Sequence, residues 1–325
     1  MKMMPLRHKG IDASQLVLGS MSMGGGWNTN PITQEHVLEA ERAVDAAREA
    51  GINMFDHADI YTFGKAEETF GKLLQAQPSL REEIIIQSKC GIRLQDGDLP
   101  GRYDFSKEHI LNSVDGILSR LGTEYIDILL LHRPDPLMEP EEIAEALTLL
   151  KSAGKVRHFG VSNMNVGQIE FLQRSLPYPI IVNQLQMSLS HLHFVDEVVF
   201  VNQAAGTKVN FGAGLLEFSQ MQDIQLQAWS PLSQGIFTGK DVSDQPEHIQ
   251  AAAKLVQDMA EEKDTTREAI VLGWLMRHPA MIQPVIGTIN PERIKATGDA
   301  VRQGQLMTRD EWYKLYVTAR GPRLP

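Results

Sequence analysis

The 325-residue sequence predicts an α/β fold, namely a (β/α)8 TIM barrel with an N-terminal β-hairpin and long loops at the C-terminal face. Seven short apolar runs each end in polar residues, and the segments between consecutive runs are long enough for at least one helix. Parallel strands whose polar ends gather at one face are typical of such a barrel. Barrels of about 250 residues or more are common as one unit, so we expect a single domain over residues 1–325. The seven runs are 52–55, 84–86, 126–131, 156–161, 180–182, 224–228 and 284–286.

The chain before the first run is predicted to form a short β-hairpin from residues 5–8 and 15–18, with a turn near Gly10. A glycine-rich loop, 19–26, follows this hairpin. Its glycines lack the G-x-G-x-x-G spacing, and no helix is predicted directly behind them. A Rossmann dinucleotide-binding loop is therefore excluded.

Helical spacing of apolar residues marks most segments between the runs. Gly51 suits the position just after a helix, Ser106 suits an N-cap, and Pro140 suits a first turn. Two long segments, 188–214 and 233–245, follow strand ends without clear periodicity, and we expect them to act as lids. The predicted helices are 35–50, 66–75, 106–121, 140–154, 165–174, 247–262 and 310–317.

Charge and hydropathy argue against a nucleic-acid or membrane partner. The chain has 31 Lys and Arg against 41 Asp and Glu, a net charge of −10, whereas binding to a phosphate backbone needs a basic field. No stretch approaches the ~20 apolar residues of a membrane helix, and the N-terminus has no apolar signal-peptide core. We therefore expect a cytoplasmic protein.

The single cysteine, Cys90, excludes an internal disulfide and fits a reducing compartment. Its neighbour Lys89 would activate an exposed thiol, since a nearby cation lowers the thiol pKa. The apolar strand before Cys90 instead favours a buried and unreactive side chain.

Four residues at consecutive strand ends form the strongest candidate for a catalytic site. Asp56 and Tyr61 follow the first run, Lys89 the second and His132 the third, and consecutive strands of a barrel are neighbours. A lysine ammonium lowers the pKa of a nearby phenol from its usual value of about 10, and an aspartate keeps that ammonium charged. A neutral histidine can donate a hydrogen bond to a carbonyl oxygen. The four residues therefore suit protonation of a carbonyl group that receives a hydride from elsewhere.

These residues resemble the catalytic tetrad of the aldo-keto reductases, and the resemblance extends over about residues 7–293. Asp56-x4-Tyr61 matches the family's Asp/Tyr signature, and Lys89 and His132, each following an apolar strand, match the other two members. The resemblance implies a barrel that binds NADPH without a Rossmann fold and reduces aldehydes or ketones to alcohols. It implies that Tyr61 is the proton donor, that Asp56 and Lys89 tune it, and that His132 orients the substrate carbonyl.

The same resemblance implies a set of cofactor-binding residues, each at or just after a strand end. An indole at the nicotinamide-stacking position offers a flat face larger than the tyrosine that many members carry there. The implied contacts are Ser162, Asn163 and Gln184 to the nicotinamide carboxamide, Trp229 to the nicotinamide ring, Ser230 and Leu232 to the pyrophosphate, and Thr288 and Arg293 to the adenosine 2′-phosphate.

The segment that would receive the 2′-phosphate departs from the family pattern at three positions. Gly287 stands where many members have a lysine, and Ala296 and Thr297 stand where many have Glu and Asn. One cation is therefore missing from this part of the expected cofactor site. Arg293 still offers a bidentate partner for a phosphate, so NADPH is the expected cofactor and NADH is less favoured.

Three other functions fit parts of the same pattern. A Schiff-base aldolase would use Lys89 as a neutral nucleophile. A metal-dependent hydrolase would use Asp56, His57, Asp59 and His132, but the His-x-His motif lies in a long loop instead of at a strand end, so no metal site is predicted. A regulatory subunit would bind the cofactor with little turnover.

The expected substrate pocket is apolar, which favours aromatic or aliphatic carbonyl compounds. The sequence predicts neither the physiological substrate nor the oligomeric state. The residues expected to line the pocket are Met21, Met23, Trp27, Phe63 and the segment 188–214.

Overall fold

The computed structural model, which describes residues 3–325, contains a closed barrel of eight parallel strands surrounded by helices. The predicted α/β barrel is therefore confirmed. The ten strands of the described chain are β1 (Val17–Gly19), β2 (Met54–Asp56), β3 (Ile85–Cys90), β4 (Ile92–Arg93), β5 (Arg102–Tyr103), β6 (Ile126–Leu131), β7 (Val156–Ser162), β8 (Ile180–Gln186), β9 (Gln225–Trp229) and β10 (Gln283–Ile286). Strands β4 and β5 pair separately as an antiparallel ribbon, and the barrel closes in the order β1-β10-β9-β8-β7-β6-β3-β2.

The predicted N-terminal β-hairpin is wrong. Its first arm is a short helix, Pro5–His8, that begins with proline at the first turn, where the missing N–H carries no penalty. Its second arm contains β1, which pairs in parallel with both β10 and β2 and is the first strand of the barrel. A strand of three residues that ends in glycine carries too little pattern to be recognised as an eighth run.

The predicted helices are present, with ends that differ by up to a few residues. The side chain of Ser106 accepts a hydrogen bond from the N–H of His109 and caps its helix, as expected. No helix in residues 3–325 is long and apolar enough to cross a membrane. The helices are α1 (Pro5–His8), α2 (Gln34–Glu49), α3 (Lys65–Ala76), α4 (Leu80–Glu83), α5 (Lys107–Leu121), α6 (Pro140–Ser152), α7 (Val166–Gln173), α8 (His193–Val199), α9 (Leu215–Met221), α10 (Glu247–Glu262), α11 (Arg267–Met276), α12 (Pro291–Lys295), α13 (Ala300–Leu306) and α14 (Arg309–Arg320), with 3-10 turns at Tyr61–Gly64, Ala204–Lys208 and Ser233–Gly235.

Apolar side chains in the barrel interior form a cluster separate from the larger core between barrel and helices. Leu6 of α1, the helix before β1, belongs to this cluster and is fully buried, so α1 closes the amino end of the barrel. Burying one Val, Leu or Ile stabilises the fold by about 1.5–3 kcal/mol. We call the cluster the apolar floor; its buried members are Leu6, Ile11, Ala13, Val17, Met54, Ile128, Leu130, Ile181, Val182 and Val285.

Candidate active site

Lys89, near the C-terminal end of β3, is the centre of the candidate catalytic cluster. Its buried Nζ donates to Asp56 Oδ2 at 2.6 Å, to the carbonyl oxygen of His57 at 2.8 Å and to Tyr61 Oη at 3.0 Å. These bonds occupy the three donors of an ammonium group. Burial alone would lower the pKa of Lys89, but Asp56 and Tyr61 outweigh it and hold the pKa above its ordinary value. A charged Lys89 does not suit the aldolase alternative, which needs a neutral amine.

Tyr61 lies at the start of a tight turn after β2. The following residues Thr62, Phe63 and Gly64 have positive φ angles of 48°, 61° and 86°. This conformation suits glycine but strains the other two residues by roughly 1–3 kcal/mol each. Thr62 Oγ1 donates to the carbonyl oxygen of Met23 at 3.1 Å and holds the turn against the loop after β1. The strained turn therefore fixes Tyr61 above the barrel interior.

The phenol of Tyr61 is protonated in this site. The sequence led us to expect that Lys89 lowers the pKa of Tyr61, and Lys89 does act in that direction. Burial raises the pKa of Tyr61 more strongly, however, and the net pKa lies above its ordinary value. Because Lys89 donates to the phenol oxygen, the phenol hydrogen is left for another acceptor.

His132 directly follows β6, and its ring lies 6.0 Å from the ring of Tyr61, edge to face. Its backbone N–H donates to the carbonyl oxygen of Cys90 at 2.9 Å. Burial, followed by the charges of Lys89 and Arg133, lowers the pKa of His132 well below its ordinary value. His132 is therefore a neutral imidazole, which has one donor and one acceptor nitrogen.

Four buried glutamines on the inner face of the barrel link Asp56 to the predicted nicotinamide site. Gln87 Nε2 donates to Asp56 Oδ1 at 2.6 Å and to Gln227 Oε1 at 2.9 Å. Gln184 Nε2 donates to the same Gln227 oxygen at 3.0 Å. Asp56 is thus held through one oxygen by Lys89 and through the other by Gln87. We call these glutamines the amide chain; its members are Gln87, Gln184, Gln227 and Gln283.

The amide chain continues toward the apolar floor. Gln227 Nε2 donates to Gln283 Oε1 at 2.9 Å, and Gln283 Nε2 donates to the carbonyl oxygen of Ser14 at 2.6 Å. Sequence reasoning missed three of its members, although a signal was present. Gln87 precedes Lys89 by two residues, and Gln227 precedes Trp229 by two residues. Residues two apart on a strand share one face, so both glutamines had to point into the barrel.

The residues expected at the nicotinamide carboxamide lie together at the ends of β7, β8 and β9. Trp229 Nε1 donates to Asn163 Oδ1 at 3.1 Å, and Asn163 Nδ2 donates to Ser162 Oγ at 2.7 Å. Ser162 Oγ donates in turn to the carbonyl oxygen of Gln184 at 2.8 Å. These bonds fix the orientation of the Trp229 ring.

The orientation of the Gln184 side chain fits a bound carboxamide. The amide nitrogen of Gln184 is committed to the amide chain. Among residues 3–325, no donor is hydrogen-bonded to its side-chain oxygen, which can therefore accept from the NH2 group of a nicotinamide. The donor and acceptor set is consistent with a nicotinamide cofactor.

The residues expected at the cofactor phosphates lie beyond the ends of β9 and β10, which are neighbouring strands. Ser230 and Leu232 follow Trp229, and Ser230 is exposed. Gly287 is also exposed, and a Cβ atom built there would meet nothing within 4 Å. Arg293 of α12 is exposed and makes no ion pair within residues 3–325. Thr288 Oγ1 accepts from the N–H of Asn290 at 3.2 Å.

Three of the four single residues predicted to line the apolar pocket are exposed, and the fourth, Met23, is not. Met21, Trp27 and Phe63 are 47%, 49% and 52% exposed, and the rings of Trp27 and Phe63 meet edge to face at 5.5 Å. Met23 is 1% exposed and belongs to the main core, so it cannot line a pocket. Its carbonyl oxygen instead accepts the hydrogen bond from Thr62 Oγ1.

The two predicted lid segments touch each other. Ser190 Oγ donates to Ser233 Oγ at 2.7 Å, which links the loop after β8 to the loop after β9. The segment 188–214 also contains α8 and a 3-10 turn at Ala204–Lys208, so it is more regular than its sequence indicated.

Two ionisable groups near the catalytic cluster have strongly shifted pKa values. Burial, followed by the charge of Glu67, raises the pKa of Asp59 to about 7 against the opposing charge of Arg120. Burial and then Lys89 lower the pKa of His57 to about 3, and its Nδ1 lies 2.8 Å from Ser20 Oγ. No group of three or more His, Cys, Asp or Glu side chains within the described residues could hold a metal ion.

Cys90 is fully buried, and burial raises its thiol pKa well above the ordinary value. This agrees with the expectation of an unreactive thiol.

Comparisons with known proteins agree with this fold. The Aldo/keto reductase family model matches residues 15–312. The oxidoreductase YcsN of Bacillus subtilis is 38% identical over 85% of this chain and 86% of its own length. The 6-dehydroglucose reductase of Agrobacterium fabrum is 35% identical over 96% of each chain. The solved structure of the glycerol dehydrogenase of Gluconobacter oxydans superposes with a TM-score of 0.77 at 23% identity, covering 97% of this chain and 95% of that chain.

The chain belongs to the aldo/keto reductase family, because the family match spans nearly the whole barrel. It is an NAD(P)H-dependent oxidoreductase that acts on carbonyl compounds. The resemblance drawn from the sequence is thereby confirmed at the level of the family.

Proposed function

We propose that the protein reduces an aldehyde or a ketone to an alcohol with NADPH, and that Tyr61 donates the proton. The observation that carries this proposal is the hydrogen bond from Lys89 Nζ to Tyr61 Oη at 3.0 Å. It leaves the phenol hydrogen for a substrate and places a cation where negative charge would form on the phenol oxygen.

Each member of the tetrad then has a chemical task. The bound cofactor supplies a hydride to the carbonyl carbon. Tyr61 gives its proton to the carbonyl oxygen, and the Lys89 ammonium stabilises the phenolate left behind. Asp56 keeps Lys89 charged and aimed through the 2.6 Å bond between them. Neutral His132 donates a hydrogen bond that orients the carbonyl.

The cofactor would be held along the ends of β7 to β10. The carboxamide would be bound by Gln184, Ser162 and Asn163, or by groups that these residues orient. The nicotinamide ring would stack on Trp229. The pyrophosphate would meet Ser230 and Leu232. NADPH is favoured over NADH because the guanidinium of Arg293, with the hydroxyl of Thr288, suits a 2′-phosphate.

A Tyr61→Phe variant tests the proposal. We expect turnover to fall by about 10²–10⁴-fold, the usual contribution of a positioned acid, while the Kd for NADPH stays within about threefold of wild type. Tyr313→Phe on the outer helix α14 is the matched control and should behave like wild type. Unchanged turnover of Tyr61→Phe would rule out Tyr61 as the acid.

The same assays separate the alternatives. A wild-type protein that binds NADPH but reduces no compound in a broad aldehyde and ketone panel would favour the regulatory-subunit reading. Covalent trapping of a substrate on Lys89 by borohydride would favour the aldolase. A cytoplasmic location remains a prediction, which cell fractionation tests.

A further inference from the structure

Arg133 brings to the candidate active site a positive charge that no carboxylate within residues 3–325 neutralises. It directly follows His132, is half-buried, and its guanidinium carbon lies 5.7 Å from the centre of the Trp229 ring. The nearby acid Asp135 is buried and otherwise occupied, since it accepts from the N–H groups of Phe105 at 2.9 Å and Leu137 at 2.8 Å. The five N–H donors of Arg133 are therefore available to a ligand.

The charge of Arg133 acts on the reacting groups. Burial is the largest influence on the pKa of both Tyr61 and His132, and Arg133 lowers each of these pKa values. A carbonyl compound bound between Tyr61, His132 and Trp229 would therefore lie within electrostatic reach of the guanidinium.

Two further cations, Lys89 and Lys65, are already bound to groups of the protein. Lys89 is bound to Asp56, and Lys65 donates to the carbonyl oxygen of Gly26 at 2.9 Å and to Asn28 Oδ1 at 3.1 Å. The loop after β1, residues 19–30, contains no Asp, Glu, Lys or Arg, and neither does the stretch 187–193 after β8. Neither of these two stretches therefore supplies a charged Asp, Glu, Lys or Arg side chain that would compete with a ligand for the guanidinium of Arg133.

We propose that Arg133 binds an anionic group of the substrate, so that the preferred substrates are carbonyl compounds carrying a carboxylate or a phosphate. This inference rests on the proposed function. A guanidinium pairs with either group through two parallel hydrogen bonds. The indole face beside Arg133 excludes water from one side of the guanidinium and strengthens that pairing. The apolar residues Met21, Trp27 and Phe63 would then cover the carbon chain.

Matched pairs of aldehydes that differ only by an anionic group test the proposal. Butanal is paired with succinic semialdehyde, and glyceraldehyde with glyceraldehyde 3-phosphate, so that the carboxylate and phosphate arms are separate. Each pair is measured with wild type, Arg133→Met, Arg133→Lys and Arg174→Met. Arg174 is an exposed arginine at the end of α7, so its replacement changes the net charge equally but away from the site.

Wild type should show a higher kcat/KM for the anionic member of at least one pair. Arg133→Met should lose about 10- to 100-fold of kcat/KM for that anionic member, as expected for a hydrogen-bonded charge pair. The neutral member should lose much less, so that the ratio of the kcat/KM values for the anionic and neutral members falls by about 10- to 100-fold. Arg133→Lys should retain part of the preference, and Arg174→Met all of it. The substrate pair in which Arg133→Met loses more of its kcat/KM for the anionic member shows whether a carboxylate or a phosphate is recognised.

Three results would overturn the inference. Wild type could reduce both members of each pair equally well, Arg133→Met could lose neutral and anionic substrates alike, or Arg133→Met could weaken NADPH binding tenfold without altering the charge preference. The first result would leave the reductase function intact. The second would show that Arg133 supports Trp229 and does not recognise an anion. The third would show that Arg133 binds the cofactor. Failure of wild type to reduce any carbonyl compound would count against the proposed function itself.

Discussion

Inside the barrel, an apolar layer and a polar layer are built from the same strands by opposite means. Along the inner face of β2 the chain passes from Met54 to Asp56, and along β8 from Val182 to Gln184. The lower residue of each pair belongs to the apolar floor, and the upper residue belongs to a network of hydrogen bonds and charges. Along these two strands a shift of two residues therefore changes the kind of interaction that stabilises the barrel, and along β10 the order is reversed, from Gln283 to Val285.

This difference teaches which changes should affect chemistry and which should affect only folding. Burial in the floor is non-directional, so a substitution there costs stability in proportion to the volume lost. We call the polar network of Asp56, Lys89 and the amide chain the upper layer. Its side chains are held by hydrogen bonds to one another, and removal of one partner leaves the other uncompensated. Floor variants should therefore fold less stably and react normally, whereas upper-layer variants should react poorly.

The largest effect is expected at Lys89. Lys89→Met leaves the buried carboxylate of Asp56 without its cation, and we expect turnover to vanish and stability to fall by about 3–5 kcal/mol. Urea unfolding measures the stability loss. The double variant Asp56→Leu/Lys89→Met should recover much of the stability and none of the turnover. A single variant as stable as wild type would contradict the buried ion pair.

The floor should respond in stability alone. Leu6→Ala removes a fully buried side chain of the apolar floor, and we expect a loss of about 2–5 kcal/mol. At a temperature where the variant remains folded, kcat and the Kd for NADPH should match wild type. Leu137, which is 85% exposed, is the control, and Leu137→Ala should change stability by no more than about 0.5 kcal/mol. A kcat loss in Leu6→Ala would contradict the separation between the residues that stabilise the fold and those that carry the chemistry.

A third prediction concerns pH. The pKa of Asp59 rises from its ordinary value of 3.8 to about 7 in the folded protein. The folded state therefore favours the protonated carboxyl, and the stability that this proton contributes is complete below pH 3.8 and is lost as pH rises to about 7. Asp59→Asn cannot lose that contribution. Its free energy of unfolding should match that of wild type near pH 4 and exceed it by about 1–2 kcal/mol above pH 7. The gain is no larger because the amide must still be buried.

Thermal unfolding at pH 4.5, 6 and 8 measures this divergence between wild type and Asp59→Asn. A difference independent of pH would show that Asp59 ionises normally in the fold.

The amide chain offers a subtler test of the upper layer. Gln87→Leu removes one of the two donors that hold Asp56, and we expect kcat to fall about tenfold while the Kd for NADPH changes by less than about threefold. Gln225 is the control, because it lies on β9 outside the chain and donates to the carbonyl oxygens of Leu226 and Met281. Equal kcat losses in Gln87→Leu and Gln225→Leu would indicate a general packing defect.

The smallest effect is expected at the edge of the cofactor site. Gly287 is exposed with open space around it, so Gly287→Lys can add the cation that many family members carry there. The preference for NADPH over NADH should rise by about two- to fivefold, the value of an exposed ion pair. Fluorescence titrations at low and high salt measure it, since salt should screen the gain. An equal gain in affinity for NADPH and NADH would show that the 2′-phosphate binds elsewhere.

The sequence predicted what depends on local pattern. Polar residues at strand ends predicted the barrel and predicted that four side chains meet at one face. The structure brings these four together: Asp56, Tyr61, Lys89 and His132. The three-residue strand β1 was misread, because its place is set by pairing with β2 and β10. The pKa direction of Tyr61 depends on burial, which the sequence does not display. A single domain over residues 1–325 stays a prediction.

The central claim is that the polar end of the barrel is a site for hydride transfer from NADPH. The most direct measurement is a titration of the purified protein with NADPH and, separately, NADH, followed by quenching of tryptophan fluorescence. The account predicts saturable binding of both nucleotides, tighter for NADPH, with the quenching reduced in Trp229→Leu. The absence of binding by either nucleotide would contradict it.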